Sequence, residues 1–118
     1  MAKKILLVDD DKGVIQFYCE LLESNGYEVQ VAMNGEQALA VLNTELPDLV
    51  VLDVNMPGKS GLDILKEVKE ANEKLPVFLL TAYEQYKRNF SSLYADEYFT
   101  KAKKPEVFLK KVNEYTSL

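Results

Sequence analysis

The sequence contains no histidine and only one cysteine, Cys19, among its 118 residues. An internal disulfide is therefore impossible, and zinc sites built from cysteine and histidine are excluded. Catalysis by a Ser-His-Asp triad or a Cys-His pair is excluded for the same reason. Cys19 follows the apolar Tyr18 and is expected to be an inert, packed thiol. We expect the protein to work in a reducing cytoplasm.

Long apolar stretches are also missing. No run approaches the ~20 residues needed to cross a bilayer, and the short run at residues 5–8 leads directly into three aspartates, unlike a secretory signal peptide. Nineteen acidic residues against 14 basic ones give a net charge of −5. We therefore expect no direct contact with nucleic acid and none with a membrane. The chemistry that remains depends on carboxylates, hydroxyls, lysines and a hard metal ion.

What is present is an ordinary globular composition, 47% hydrophobic and 28% charged, over a length that predicts one domain spanning residues 1–118. Continuous apolar runs are typical of strands covered on both faces, and an alternating run is typical of an edge strand. Amphipathic segments between these runs predict helices. We predict strands at 4–8, 27–31, 49–52, 76–80 and 95–100, with helices at 12–25, between Asn34 and Pro47, at 62–71, and from Pro105 onward. This alternation implies an α/β fold with a parallel sheet and helices on both faces.

Polar side chains stand where the predicted strands end. Asp9 and Asp10 follow the first strand, Asp53 the third, Thr81 the fourth and Lys101 the fifth. Ligands of open α/β sheets bind at these carboxyl ends, so we expect the five side chains to form one site. The clustered carboxylates repel one another, and a lysine or a divalent cation such as Mg²⁺ or Mn²⁺ would offset the repulsion. Such a site suits phosphoryl transfer, with one aspartate attacking phosphorus.

Each of these residues alone also has an ordinary structural explanation. An aspartate after a strand often caps a helix or opens a turn, which accounts for any one of Asp9, Asp10 and Asp11. A single strand-end threonine or surface lysine is equally common. It is the joint arrangement at one edge of the sheet that favours a functional site.

Four segments in order resemble the receiver domain of bacterial two-component response regulators, the CheY-like family. They are ILLVDDD at 5–11, VVLDVNMPGKSG at 50–61, LLTA at 79–82 and ADEYFTK at 95–101. The resemblance covers the chain from Lys3 to about Tyr115. It implies a flavodoxin-like, doubly wound, five-stranded parallel sheet with strand order 2-1-3-4-5 and five helices.

The resemblance also implies a role for the acidic residues. Asp53 would accept a phosphoryl group from a phosphohistidine on a sensor histidine kinase or a histidine phosphotransfer protein. Asp9, Asp10, Asp53 and the backbone carbonyl of Asn55 would hold Mg²⁺, with Mn²⁺ as an alternative. The domain would not be an enzyme with free substrates, because it would catalyse only its own phosphorylation and slow autodephosphorylation.

The remaining implied roles concern signalling. Lys101 would pair with Asp53 and then with a phosphoryl oxygen, Thr81 would move to bond the phosphoryl group, and Tyr98 would turn into the space that Thr81 leaves. The surface of the fourth helix, fifth strand and fifth helix would then change and control a downstream output protein or domain. Phosphorylation-dependent homodimerisation stays open.

Two departures from the family pattern lie in the last third of the chain, at Ala102 and at residues 83–94. Ala102 stands where the family usually has a proline in a cis peptide, and a cis bond before a non-proline residue costs about 3 kcal/mol, so we expect Lys101–Ala102 to be trans. Residues 83–94 are shorter than usual and contain Ser91 and Ser92, which predicts a shortened or distorted fourth helix and an unusual output surface.

Three alternatives stay open at this stage. A degenerate receiver would act as a phosphorylation-independent protein-interaction module. Against it stands the retention of the five site residues, Asp9, Asp10, Asp53, Thr81 and Lys101, whereas Ala102 leaves some room for it. An aspartate-nucleophile phosphatase would need a second acid two residues after the nucleophile, where this chain has Asn55. A flavodoxin would need a phosphate-cradling loop after the first strand, where this chain has carboxylates.

Overall fold

Strands and helices alternate throughout the part of the chain that the structure, a computed structural model, describes: residues 2–54, 61–82 and 95–117. The strands are β1 (Lys4–Val8), β2 (Glu28–Ala32), β3 (Leu49–Asp53), β4 (Val77–Thr81) and β5 (Glu97–Thr100). The helices of the described ranges are α1 (Lys12–Glu23), α2 (Gly35–Thr44), α3 (Gly61–Ala71) and a C-terminal helix (Pro105–Thr116).

All five strands form one parallel sheet in the order β2-β1-β3-β4-β5. This confirms the predicted α/β fold and its doubly wound strand order. The winding reverses between β1 and β3, which are neighbours in the sheet, with Val8 opposite Leu52. A ligand site is expected at this reversal, beyond the carboxyl ends of the two strands.

Two apolar layers cover the sheet, one on each face. Every residue of β3 and β4 is buried, as the continuous apolar runs predicted. Leu6, Val50 and Leu79 face one layer together with Ile64 of α3, whereas their neighbours in sequence face the other layer together with Phe108 of the C-terminal helix. The sheet is therefore a rigid support for whatever its strand ends carry.

Local sequence signals fix the helix ends. Asp11 caps α1 by accepting hydrogen bonds from the N–H groups of Gly13 and Val14, and Asn34 caps α2 by accepting from Gln37 N–H at 2.9 Å. Gly26, just after α1, has a φ of 91°, a conformation that glycine adopts without strain. Pro105 occupies the first turn of the C-terminal helix.

The predicted element boundaries differ from the observed ones by one or two residues. The difference is two residues at the end of α1, which stops at Glu23 rather than at residue 25, and at β5, which begins at Glu97 rather than at residue 95. Asp96, just before the strand, accepts a hydrogen bond from Val77 N–H at 2.8 Å through its side chain, and its own N–H donates to Val77 O at 2.9 Å. The predicted loop at 55–60 and the predicted fourth helix at 83–94 lie outside the described residues. Among the helices of the described ranges, none has the length and apolarity to cross a membrane.

Candidate functional site

Three carboxylates converge where β1 and β3 end. Each of Asp9, Asp10 and Asp53 offers a carboxylate oxygen, and these oxygens all lie within 4.8 Å of one another. Asp9 and Asp53 are buried, with 0% and 3% of their surface exposed, whereas Asp10 is open to solvent. The predicted acidic cluster is thus confirmed as a geometric feature, with two of its three carboxylates inside the protein and one at the surface.

Backbone hydrogen bonds hold Asp9 at the reversal of the sheet. Its N–H donates to Ala32 O at 3.1 Å, which extends the β1–β2 pairing by one residue. Its Oδ1 accepts a hydrogen bond from Asp11 N–H at 2.9 Å. Since Asp11 is the residue that caps α1, the capping explanation accounts for Asp11 and leaves Asp9 and Asp10 for the site.

A close approach of α3 supports Asp53 from behind. Gly61 N–H donates to Val54 O at 3.2 Å, and a Cβ atom added at Gly61 would lie 2.0 Å from the backbone oxygen of Asp53. Only glycine allows this contact between the start of the helix and the end of the strand. The trailing glycine of the 50–61 segment is therefore needed to place Asp53.

Lys101 is the cation of the site. Its Nζ lies 3.0 Å from Asp9 Oδ2 and 3.1 Å from Asp53 Oδ1, and only 17% of its side chain is exposed. Burial favours the neutral amine, but the contacts with the two carboxylates outweigh burial and raise the pKa of Lys101 above that of an ordinary lysine. The sequence predicted the pairing with Asp53 and missed the pairing with Asp9.

Thr81 and Tyr98 lie on the two strands next to this cluster. Thr81 ends β4 and is 2% exposed, and its backbone oxygen accepts the N–H of Lys101 at 2.8 Å. Tyr98 lies on β5 opposite Leu79 and is partly buried against the core. Asn55, predicted to supply a metal ligand, lies outside the described residues.

The donor set fits a hard divalent cation. Asp9 Oδ2 is fully buried and makes no hydrogen bond to any described residue, and its charge is paired only with Lys101 Nζ at 3.0 Å. One lysine among three carboxylates leaves negative charge over, which a divalent cation would offset. The three clustered side chains offer only carboxylate oxygens, the ligands that Mg²⁺ prefers.

The chain after Lys101 differs from the family pattern in a way that the sequence only partly predicted. The Lys101–Ala102 peptide is trans, as expected, because no described peptide bond is cis. Ala102 has a φ of 58°, and its N–H donates to the hydroxyl oxygen of Tyr18 at 2.9 Å. The sequence marked Tyr18 only as an apolar residue within the predicted helix at 12–25. Ala102 itself was the one signal in the sequence that this loop is unusual.

Comparison with known proteins gives consistent results along the whole chain. The family model of the response regulator receiver domain matches residues 5–113. The alkaline phosphatase synthesis transcriptional regulatory protein PhoP of Bacillus subtilis is 39% identical over 107 residues, which are 89% of this chain and 45% of that protein. Sporulation initiation phosphotransferase F of the same organism is 43% identical over 83 residues, covering 70% of this chain and 67% of that protein.

Solved structures show the same similarity. Response regulator TrrA from Thermotoga maritima, determined in complex with Mg²⁺-BeF, superposes with a TM-score of 0.90 at 39% identity, covering 96% of this chain and 98% of that one. Chemotaxis response regulator CheY4 of Vibrio cholerae superposes with a TM-score of 0.87 at 29% identity, covering 98% and 99% of the two chains. This chain spans less than half the length of PhoP and nearly all of TrrA.

Proposed function

This chain belongs to the response regulator receiver family of two-component signalling, and on that premise we propose that Asp53 is its phosphoacceptor. The observation that carries the proposal is the position of Asp53: buried at a strand end, beside two further carboxylates, with Lys101 Nζ 3.1 Å from its Oδ1. A carboxylate held in this way has a cation beside it to stabilise charge on an incoming phosphoryl group.

The proposed reaction is a displacement at phosphorus. A carboxylate oxygen of Asp53 forms a bond to phosphorus, the bond from phosphorus to the histidine nitrogen of the donor breaks, and the nitrogen leaves with the bonding electrons. Lys101 exchanges its contact with Asp53 for one with a phosphoryl oxygen, and the Thr81 hydroxyl donates a hydrogen bond to another. Asp9, Asp10, Asp53 and the carbonyl of Asn55 would hold Mg²⁺ or Mn²⁺, which when bound neutralises charge on the phosphoryl oxygens.

The proposed output is a change of surface near β5. Movement of Thr81 toward the phosphoryl group leaves room in the core beside β5, and Tyr98, already half-buried there, turns into it. The faces of β5, the C-terminal helix and residues 83–94 then bind an output protein or domain differently. Dimerisation of two phosphorylated copies is one form that this response could take.

The proposed partners follow from the same chemistry. A sensor histidine kinase or a histidine phosphotransfer protein supplies the phosphoryl group, and a downstream protein or domain reads the changed surface. The relatives named above include a transcriptional regulatory protein and a sporulation phosphotransferase, so both kinds of output occur among similar chains. We propose that the domain acts in the cytoplasm as a regulated protein and resets itself by slow hydrolysis of its aspartyl phosphate.

Intact-mass analysis tests the proposal directly. Incubation with a small acyl phosphate and Mg²⁺ is expected to add one phosphoryl group to the wild type and none to Asp53→Asn. The matched control is Asp48→Asn, since Asp48 is an exposed aspartate before β3, at the other edge of the sheet, and it should accept phosphate like the wild type. An unmodified wild type that still binds its output partner would favour the degenerate interaction module instead.

A further inference from the structure

The loop after β5 is held in a conformation that its sequence does not favour. Ala102 and Lys104 have φ values of 58° and 47°, in the left-handed region, although both carry a Cβ atom. Such residues are disfavoured by steric contact with the backbone and persist where surrounding contacts determine the conformation. One turn hydrogen bond, from Lys103 N–H to Thr100 O at 3.2 Å, supports this path from within, and a second contact comes from outside the loop, which begins at Lys101.

Tyr18 of α1 supplies that contact. Its ring is 1% exposed and packs edge-to-face against Phe17 and Phe108, with ring centroids 5.0 Å apart in both pairs. Its hydroxyl oxygen accepts the N–H of Ala102 at 2.9 Å. A buried aromatic ring with neighbours on two sides has little freedom, so its hydroxyl is a fixed acceptor for the loop.

Both peptide groups that flank the Cα atom of Lys101 are hydrogen-bonded. The N–H of Lys101 itself donates to Thr81 O at 2.8 Å, and the N–H of Ala102 donates to the hydroxyl oxygen of Tyr18 at 2.9 Å. With both peptide planes anchored, the direction of the Cα–Cβ bond of Lys101 is set. That direction leads to the two carboxylates that Nζ contacts at 3.0 and 3.1 Å.

We propose that Tyr18 is a positioning residue for Lys101: its phenol hydroxyl, acting through the Ala102 N–H, holds Lys101 in the acidic site. Proline at position 102 could not take part, because it has no N–H and its φ is fixed near −65°. The hydroxyl of Tyr18 thus provides, from α1, the restraint on the loop that the usual proline would provide from within the chain. The functional part of this inference rests on the proposed phosphorylation of Asp53.

The first test needs no variant and no phosphoryl group. Hydrogen exchange of the folded wild type, read residue by residue by NMR, should show a protected amide at Ala102, because the hydrogen bond ends on a buried oxygen. An Ala102 amide that exchanges as fast as an open loop amide would overturn the proposal. The same measurement on Tyr18→Phe, which keeps the ring, should show that this protection is lost.

The second test measures phosphorylation by a small acyl phosphate at saturating Mg²⁺. Tyr18→Phe should react roughly threefold to tenfold more slowly than the wild type, the effect of losing one hydrogen bond. The control is Tyr27→Phe, which removes a partly buried hydroxyl that is hydrogen-bonded to Thr116 at 2.9 Å. Neither residue belongs to the loop after β5, so this variant should keep the wild-type rate.

A double-mutant cycle separates positioning from general loss of structure. In a Lys101→Met background, whose residual rate is followed over longer incubation, the further change Tyr18→Phe should alter the rate less than twofold. An equal slowing with and without Lys101 would overturn the positioning role, as would a wild-type rate in Tyr18→Phe. A wild type that takes no phosphoryl group at all, with Ala102 still protected, would instead refute the proposed function.

Discussion

Asp9, Asp10 and Asp11 follow one another in the chain and yet occupy three environments. Asp11 caps α1, Asp10 is open to solvent, and Asp9 is fully buried against Lys101. The side chain of an isolated aspartate after a strand has several uses, and the backbone turn from β1 into α1 distributes these uses over successive positions. Three residues of the same type therefore have different roles, and the direction in which the backbone points each side chain decides which of them join the site.

Gly61 gives a residue-scale prediction. Gly61→Ala should lower the free energy of unfolding by about 2–3 kcal/mol, because its Cβ would lie 2.0 Å from the backbone oxygen of Asp53 and one of the two segments must shift. Urea unfolding measures the loss. Gly13→Ala is the control: its Cβ would meet only the Asp11 side chain at 3.3 Å, and it should change stability little. A Gly61→Ala variant with the same free energy of unfolding as the wild type would show that α3 can move away from β3 at no cost.

Lys69 of α3 contacts the residues that precede β4 and β5, at the end of the sheet where the strands begin and opposite to the site. Its side chain, 9% exposed, forms an ion pair with Asp96 at 2.7 Å and donates to Leu75 O at 2.7 Å. Lys69→Met should cost about 1–3 kcal/mol of stability, because the backbone oxygen of the buried Leu75 loses a donor and the exposed Asp96 loses its cation, and phosphorylation should be unchanged. Lys66→Met, on the exposed side of α3, should be neutral. Equal unfolding midpoints for the two variants would contradict the prediction.

A second element-scale prediction concerns the contact between β5 and the C-terminal helix. Tyr115 donates its hydroxyl to Glu97 Oε2 at 2.9 Å, and burial, together with this bond and the nearby carboxylates, raises the pKa of Tyr115 to about 12. The folded protein then holds the proton more tightly than the unfolded chain, so stability is fully present below pH 10 and falls as the pH rises from 10 to 12.

Tyr115→Phe should therefore lose less stability than the wild type between pH 10 and pH 12, as followed by urea unfolding at each pH. Burial also raises the pKa of Tyr18, and Lys101 likewise has a raised pKa. Both groups are present in both proteins, so the difference between the two curves isolates Tyr115. Parallel curves would show that the contact with Glu97 does not depend on the phenol proton.

How far the elements could be predicted depended on how local their causes are. The continuous apolar runs of β1, β3 and β4, the cap at Asn34 and the proline at position 105 are properties of neighbouring residues. They placed these strands and the starts of the two helices to within one residue. The Tyr18–Ala102 hydrogen bond joins residues 84 positions apart. Residue spacing carries no information about such a contact, so sequence reasoning could not find it.

Across the whole molecule, stability and function are located at opposite edges of the sheet. The edge where the strands begin holds compensated contacts such as Lys69 with Asp96. The edge where they end gathers three carboxylates around one lysine, which leaves a formal charge of −2. The core must therefore supply the free energy that keeps the acidic edge together when no cation is bound.

This balance predicts how stability depends on Mg²⁺. Without divalent cations, Asp10→Asn should unfold at a higher temperature than the wild type, because it removes one of the repelling charges without touching Lys101. Added Mg²⁺ should stabilise the wild type by about 2.7 kcal/mol at one hundred times its Kd, since only the folded chain brings the ligands together. Asp10→Asn should gain much less at the same concentration.

Thermal unfolding with EDTA and then with rising Mg²⁺ measures both effects in one series. The control is Asp48→Asn, which removes an exposed aspartate at the other edge of the sheet and should respond to Mg²⁺ like the wild type. The expected result is a crossing: the variant is the more stable protein in EDTA, and the wild type is the more stable one at high Mg²⁺. Curves that keep the same order throughout would mean that Asp10 neither strains the acidic edge nor binds the cation.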